Sequence, residues 1–278
     1  MTEFVPSEKG TPIRFPSTAN LYIDSLDRSG GSSSDFLISK NQNILTGFFT
    51  RLAVQEVVLD WCVPNIRAVN ENNTFTVDVS GSGVQTITLP DDFYNVKQAL
   101  DTIVSYLNTA YGNTDFSITP TPTGSGVFLT NVNDYTITET NLSRLLNITG
   151  AEDATIKSKF VECPKLLNTV YIDFVSNQLT YNQDLKDAST APIVRDTLYR
   201  WYFAWDNEPS YDAYGYPILQ GYRSFIQRRN IAFPKQIKWD NIQPIGQVAF
   251  QVYDDGGTIV DTSSGEFEFN MNFLVSEV

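Results

Sequence analysis

The sequence contains no histidine. That absence excludes Ser-His-Asp triads, Cys-His dyads, histidine-ligated zinc and imidazole pH switches, and with them most hydrolase chemistries. Cysteine is scarce as well. Cys62 and Cys163 are the only two, too few for a disulfide framework or a four-cysteine metal cluster, and they read as partly buried small hydrophobes. Basic residues are outnumbered, with 19 Lys+Arg against 32 Asp+Glu, a formal charge of −13 over 278 residues. Phosphate backbones repel so acidic a chain, which argues against nucleic acid as its partner. No stretch approaches the roughly 18 apolar residues that would span a bilayer. The first twenty residues lack the basic start and apolar run of an export signal, so the expectation is a protein made inside the cell and not secreted. The Asn-x-Ser/Thr triplets at Asn72, Asn141 and Asn147 then read as chance matches.

What is present is a strand-rich pattern. Hydrophobic residues make up 41% and charged residues 18%, enough apolar surface for a core and too little charge for disorder. Pro6, Pro12 and Pro16 make residues 1–20 an extended arm. Extended runs follow at Leu21-Tyr22-Ile23 and Asp35-Phe36-Leu37-Ile38, on either side of a Gly/Ser loop. Residues 52–61 (LAVQEVVLDW) alternate except at Val58, which a bulge or a doubly buried strand would explain. From about residue 70 the pattern changes. A hairpin around Gly81 and Gly83 precedes the one convincing helix, in which Val96, Ala99, Leu100, Ile103, Val104, Leu107 and Tyr111 recur at helical spacing. Asn95 and Gln98 supply a capping box and Gly112 the stop. Short strands at 116–119, 127–130 and 135–138 and a helical turn at 142–146 complete an α+β segment with its own small core.

After Pro164 the strands return. Residues 198–205 (LYRWYFAW) put Tyr199, Trp201, Phe203 and Trp205 on one strand face and Arg200, Tyr202 and Ala204 on the other. Residues 177–192 and 206–222 read as loops, and 235–239, 247–253 and 266–274 as the last strands, with Asp254-Asp255-Gly256-Gly257 as a tight turn between the last two. The fold expected is all-β, a single jelly-roll β-sandwich with an α+β insertion domain. Its parts are the arm (1–20), the jelly roll (21–69 and 161–278) and the insertion (70–160).

No catalytic, metal or cofactor constellation is legible, so no enzyme activity and no cofactor are expected. Asp24, Asp27 and Arg28 at a strand end lack any third metal ligand and read as a turn cap with a local ion pair. Two adjacent acids at 254 and 255 do not complete an oxygen shell. The glycines never form a phosphate-cradling loop. Arg223, Arg228, Arg229, Lys235 and Lys238 cluster within sixteen positions, a pattern that in an acidic protein suits an acidic neighbour. With Phe15 of the arm and Asp24, Asp27 and Arg28, the arginines 223, 228 and 229 are candidate interface residues. Aromatics crowd residues 199–225, and a second reading gives Trp205, Tyr211, Tyr214 and Tyr216 to stacking on sugar rings, as in a carbohydrate-binding jelly-roll module.

One set of motifs is similar, in its order, to a known family. Tyr22-Ile-Asp24-Ser-Leu-Asp27-Arg28, the Gly/Ser run and Ser34-Asp35-Phe36 resemble the opening of penton (minor capsid, vertex) proteins of virophages and polinton-like viruses. So do Val63-Pro64-Asn65-Ile66 with Asn72-Asn73-Thr74-Phe75, and Ile87-Thr-Leu89-Pro90 with Phe93-Tyr94 ahead of the helix. Leu145 to Gly150 stands where that family carries a Leu-Gly-aromatic turn, from which Asn147 departs. The resemblance implies a jelly roll standing upright in an icosahedral shell, in the virion, with five copies plugging each vertex among double-jelly-roll major capsid proteins. It implies an insertion that crowns the roll and could touch a host surface.

Overall fold

The computed structural model describes residues 18–40, 44, 49–121, 126–148, 158–161, 163–180, 197–203, 210–238 and 246–276. The strands of its first third are β1 (Thr18–Asp24), β2 (Gly30–Gly31), β3 (Asp35–Ser39), β4 (Arg51–Trp61), β5 (Thr74–Val79) and β6 (Gly83–Thr88), followed by helix α1 (Val96–Tyr111). Next come β7 (Ser117–Pro120), β8 (Val127–Thr130), β9 (Tyr135–Thr138), α2 (Asn141–Leu145), β10 (Ser158–Val161), β11 (Tyr171–Val175), α3 (Asn177–Thr180) and β12 (Thr197–Tyr202). The last third holds β13 (Ser210–Tyr211), β14 (Pro217–Ile218), β15 (Phe225–Asn230), β16 (Gln236–Lys238), β17 (Gln247–Asp254) and β18 (Phe267–Ser276).

Two antiparallel sheets face each other. One runs β1-β18-β4-β15, with β16 continuing beside β4, and the other β12-β11-β17-β3-β2. Their inner faces share one core, in which Phe269 of β18 meets Phe36 at 5.6 Å, Phe174 at 4.7 Å and Phe250 at 5.9 Å between ring centroids. The three ring partners all belong to the opposing sheet, so this is sheet-on-sheet packing with interdigitated aromatic rings. Clean alternation in β18 makes it possible: Phe267, Phe269, Met271, Phe273 and Val275 are buried and the residues between them are not.

The break in alternation along β4 is a bulge, placed three residues earlier than the pattern of residues 52–61 indicates. Asn272 pairs with Glu56 while Phe273 pairs with Val54, so Gln55 is the extra residue. It returns Leu52, Val54, Val57, Leu59 and Trp61 to the core face and leaves Val58 on the other; the bulge resets the side-chain phase by one residue.

A second core gathers the middle of the chain. The sheet β6-β5-β9 and the sheet β10-β8-β7 pack with α1, whose Val96, Ala99, Leu100, Ile103 and Leu107 are buried. The expected capping box is present, with Gln98 N–H donating to the Asn95 side chain and Asn95 N–H to the Gln98 side chain, and Gly112 closes the helix at φ 66°. This core reaches beyond residues 70–160. Ile66, Val161, Leu166, Tyr214, Tyr216 and Tyr222 belong to it, because the segment after β13 folds back onto α1 and β10.

Other expectations need correction. Residues 177–180, read as loop, form α3, whose Thr180 hydroxyl donates to the Ser176 carbonyl. The turn at 254–257 is tight, with Gly257 at φ 84°, but it does not join paired strands: Tyr253 bridges to Ile259 and the chain then crosses to the opposite sheet. Cys62 and Cys163 are exposed. Cys62 follows the inward Trp61 and so faces out, where its thiol donates to Asp60 at 3.8 Å.

Candidate functional site

Three of the motifs that carried the family resemblance meet in one buried joint between the cores. The Asn65 amide donates to the carbonyls of Tyr94 (2.9 Å) and Leu166 (3.1 Å) and accepts from the Tyr94 N–H (2.9 Å). The Asn72 amide donates to the Asn65 carbonyl, and Asn72 accepts from Arg67 N–H. Asn73 exchanges hydrogen bonds with the Leu89 backbone. Short polar side chains at these positions are therefore structural, satisfying backbone groups where one core gives way to the next. Leu167 packs against both cores, and Gly221, at φ 86°, lies so close that a Cβ there would stand 2.5 Å from Leu167 Cδ1.

The joint also holds a cavity of ≈30 Å³ lined by Trp61, Asn65, Arg67, Phe203 and Val260 among others, room for about one water and no substrate. Arg67 sits there with its Nη1 on the Asp261 carbonyl (2.7 Å), and burial pulls its pKa below the usual arginine range. Among the described residues, no group of three or more His, Cys, Asp or Glu could hold a metal ion, and no helix is long and apolar enough to cross a membrane.

Two further candidate surfaces are the lateral edges of the two-sheet body. At the first, β1 pairs with β18 alone among described strands. Ile23 points inward while Tyr22 and Asp24 point out. The Asp24 carboxylate caps the turn Ser25–Asp27, accepting from Leu26 N–H at 2.8 Å, and accepts from the Asn270 amide at 3.3 Å. The buried Ser25 hydroxyl accepts from Phe269 N–H, which pins the turn to β18. Leu26 and Asp27 are thereby held exposed. Asp24 is the expected turn cap, but Arg28 makes no ion pair with Asp24 or Asp27 among the described residues; its guanidinium donates to the Ser25 carbonyl at 3.1 Å.

At the second edge, β15 pairs with β4 alone among the described strands. Phe225 turns inward, stacked with Trp201 at 6.4 Å. The Arg229 guanidinium lies 3.9 Å over the Trp201 ring and donates to the Tyr202 carbonyl at 2.8 Å. It thus clamps the edge strand of one sheet to the edge strand of the other. Arg228 points outward and pairs with Glu56, and Arg223 is exposed. Asp24 and Arg228 share one register row on the outer face, Asp24–Asn270–Val58–Arg228. Three strand spacings separate them, roughly 14 Å.

The sugar-stacking set does not come together. Tyr214 and Tyr216 are only 9% and 7% exposed; their hydroxyls donate to Asp101 (3.0 Å) and to the Val161 carbonyl (2.5 Å), and no ring face is left for a sugar. Of the three described members, Tyr211 alone is exposed. Trp205 and Phe15 lie outside the described residues. One polar constellation had no sequence signal beyond strand alternation: Arg200 grips the buried Asp173 through two bonds of 2.7 and 2.8 Å and lies 3.8 Å over the Tyr171 ring. The Asp173 contact raises the Arg200 pKa, so the pair is a fixed structural clamp.

The arrangement defines a strand-rich antiparallel protein with two cores, a hydrogen-bonded joint between them and, among the described residues, a strand paired on one side only at each lateral edge. No family model matches the chain, and no curated protein does. Among solved structures it is similar to a crystal structure of the mavirus penton protein, which aligns over 95% of this chain and 99% of that one at 10% identity and a TM-score of 0.48.

Proposed function

We propose that the chain is a structural, non-catalytic capsid protein that forms the vertex of an icosahedral double-stranded DNA virus shell, as a homopentamer in contact with double-jelly-roll major capsid proteins. The observation that carries this reading is strand order. Counting β1, β3, β4, β11, β12, β15, β17 and β18 as first to eighth, the two sheets run 1-8-3-6 and 5-4-7-2. That interleaving supports jelly-roll connectivity, two Greek keys in one sandwich, the fold that the motifs of residues 22–36, 63–75 and 87–94 imply. The segment with the second core enters between the third and fourth strands, at one end of the roll, where it would crown an upright vertex.

Co-expression with a double-jelly-roll major capsid protein tests the reading. Five-fold complexes by native mass spectrometry, seated at shell vertices by electron microscopy, are expected. A chain that stays monomeric and binds no shell protein would remove it.

A further inference from the structure

The two lateral edges are opposite in charge and alike in what else they expose. Beside β1 stand Asp24 and Asp27 with Tyr22 (60% exposed) and Leu26 (59%). Beside β15 stand Arg223, Arg228 and Lys235 with Ile226 (73%) and Phe233 (96%). Arg28 turns back to the Ser25 carbonyl and offsets one of the two acidic charges, and Glu56 pairs with Arg228, so the first edge keeps a net negative charge and the second keeps the positive charges of Arg223 and Lys235. Each strand has a single partner strand among the described residues, which leaves one row of backbone N–H and C=O groups unladdered.

Charges on an edge strand ordinarily keep copies apart, since like meets like. Here one edge is acidic and the other basic, so two copies placed side by side attract, and each apolar pair meets another. We propose that the β1 edge of one copy docks against the β15 edge of the next copy, with Asp24 and Asp27 facing Arg223 and Arg228 and with Tyr22 and Leu26 packing on Ile226 and Phe233. The two patches differ, so the contact is heterologous and repeats from copy to copy until the ring closes. The inference rests on the vertex reading for the number of copies in that ring.

Charge reversal tests it on the full chain. Asp27 and Arg223 are exposed and lie outside both cores, so Asp27→Lys and Arg223→Glu leave the circular dichroism spectrum and melting temperature unchanged. Each single reversal sets a like charge where the contact had an opposite one, and its self-association by sedimentation velocity falls at least about tenfold. Mixing the two variants restores association as open alternating chains, since a ring of five cannot alternate throughout, and the double variant associates with itself again. Single reversals that leave association unchanged overturn the edge contact while the vertex reading stands. A wild-type chain that is monomeric at every concentration overturns both.

Discussion

The two cores are built from different aromatics. Between the facing sheets, the buried aromatics among the described residues are seven Phe and two Trp, with no Tyr. In the second core they are five Tyr and two Phe. The difference follows strand length. The facing sheets contain strands of up to 11 residues whose ladders satisfy the backbone between them, and their interior is filled by rings that carry no hydroxyl. Strands β7 to β10 have four residues each, so carbonyls at their ends run out of ladder partners. Tyrosine hydroxyls answer carbonyls of this core: Tyr216 donates to Val161 at the end of β10 and Tyr135 to Leu129 inside β8, both at 2.5 Å, and Tyr111 lies within bonding distance of Val77 of β5 and Gly83 of β6. A small core of short strands is closed by phenols where a large one is closed by ladders.

The sharpest way to break this comparison is to strike the sheet-on-sheet core at its centre. Phe269→Ala removes the ring that touches Phe36, Phe174 and Phe250. It is expected to cost about 3–5 kcal/mol in denaturant unfolding. Next is the joint. Asn65→Ala strands the carbonyls of Tyr94 and Leu166 and the N–H of Tyr94, for about 3 kcal/mol at about 1–3 kcal/mol per orphaned group, not fully additive. By calorimetry the single transition should split in two as the cores uncouple; one unshifted transition would show that the joint does not couple them. Third, Tyr216→Phe keeps the ring and orphans the Val161 carbonyl, costing about 1–2 kcal/mol. The same Tyr→Phe change at Tyr211, exposed and outside both cores, should be silent, which tests whether hydroxyl reach or ring burial matters.

How much of this is legible in the sequence depends on the distance a signal must travel along the chain. Helix α1 is readable to its caps because Asn95, Gln98 and Gly112 act within one turn of the backbone they serve. The Asp24 cap is readable for the same reason. The bulge is announced by broken alternation, although its position at Gln55 depends on the register with β18. The exposure of Cys62 is present in the alternation of β4, one residue beyond an inward Trp61, and is outweighed by the usual burial of free cysteine. The joint is not legible: Asn65 serves Tyr94 and Leu166, 29 and 101 positions away. Nor is the burial of Tyr214, whose partner Asp101 lies 113 positions back. A tyrosine among Asp, Gly and Pro has the local signature of an exposed loop, and only tertiary docking reveals that the loop lies over a core.

The smallest effect sharpens the contrast through pH. Tyr222 is 4% exposed in the second core, and burial pushes its phenol up to about 12, with Asp212 adding to the shift and a Leu167 backbone hydrogen bond opposing it. An unfolded tyrosine titrates near 10. The folded state therefore holds a proton that the unfolded state releases between those values, and the stability this group contributes is complete below pH 10 and is lost as pH climbs toward 12. The slope from this one residue is at most about 1.4 kcal/mol per pH unit. Tyr214, also raised to about 12 by burial and then by Asp101, acts in the same direction. Among the described residues the facing sheets bury no tyrosine in their core, so between pH 10 and 12 the second core should loosen first, seen as faster amide exchange in α1 before the tryptophan emission of the Trp61 and Trp201 core shifts. Tyr222→Phe should flatten the alkaline slope without changing it below pH 9; an unchanged slope would mean that the phenol is not held protonated by the fold.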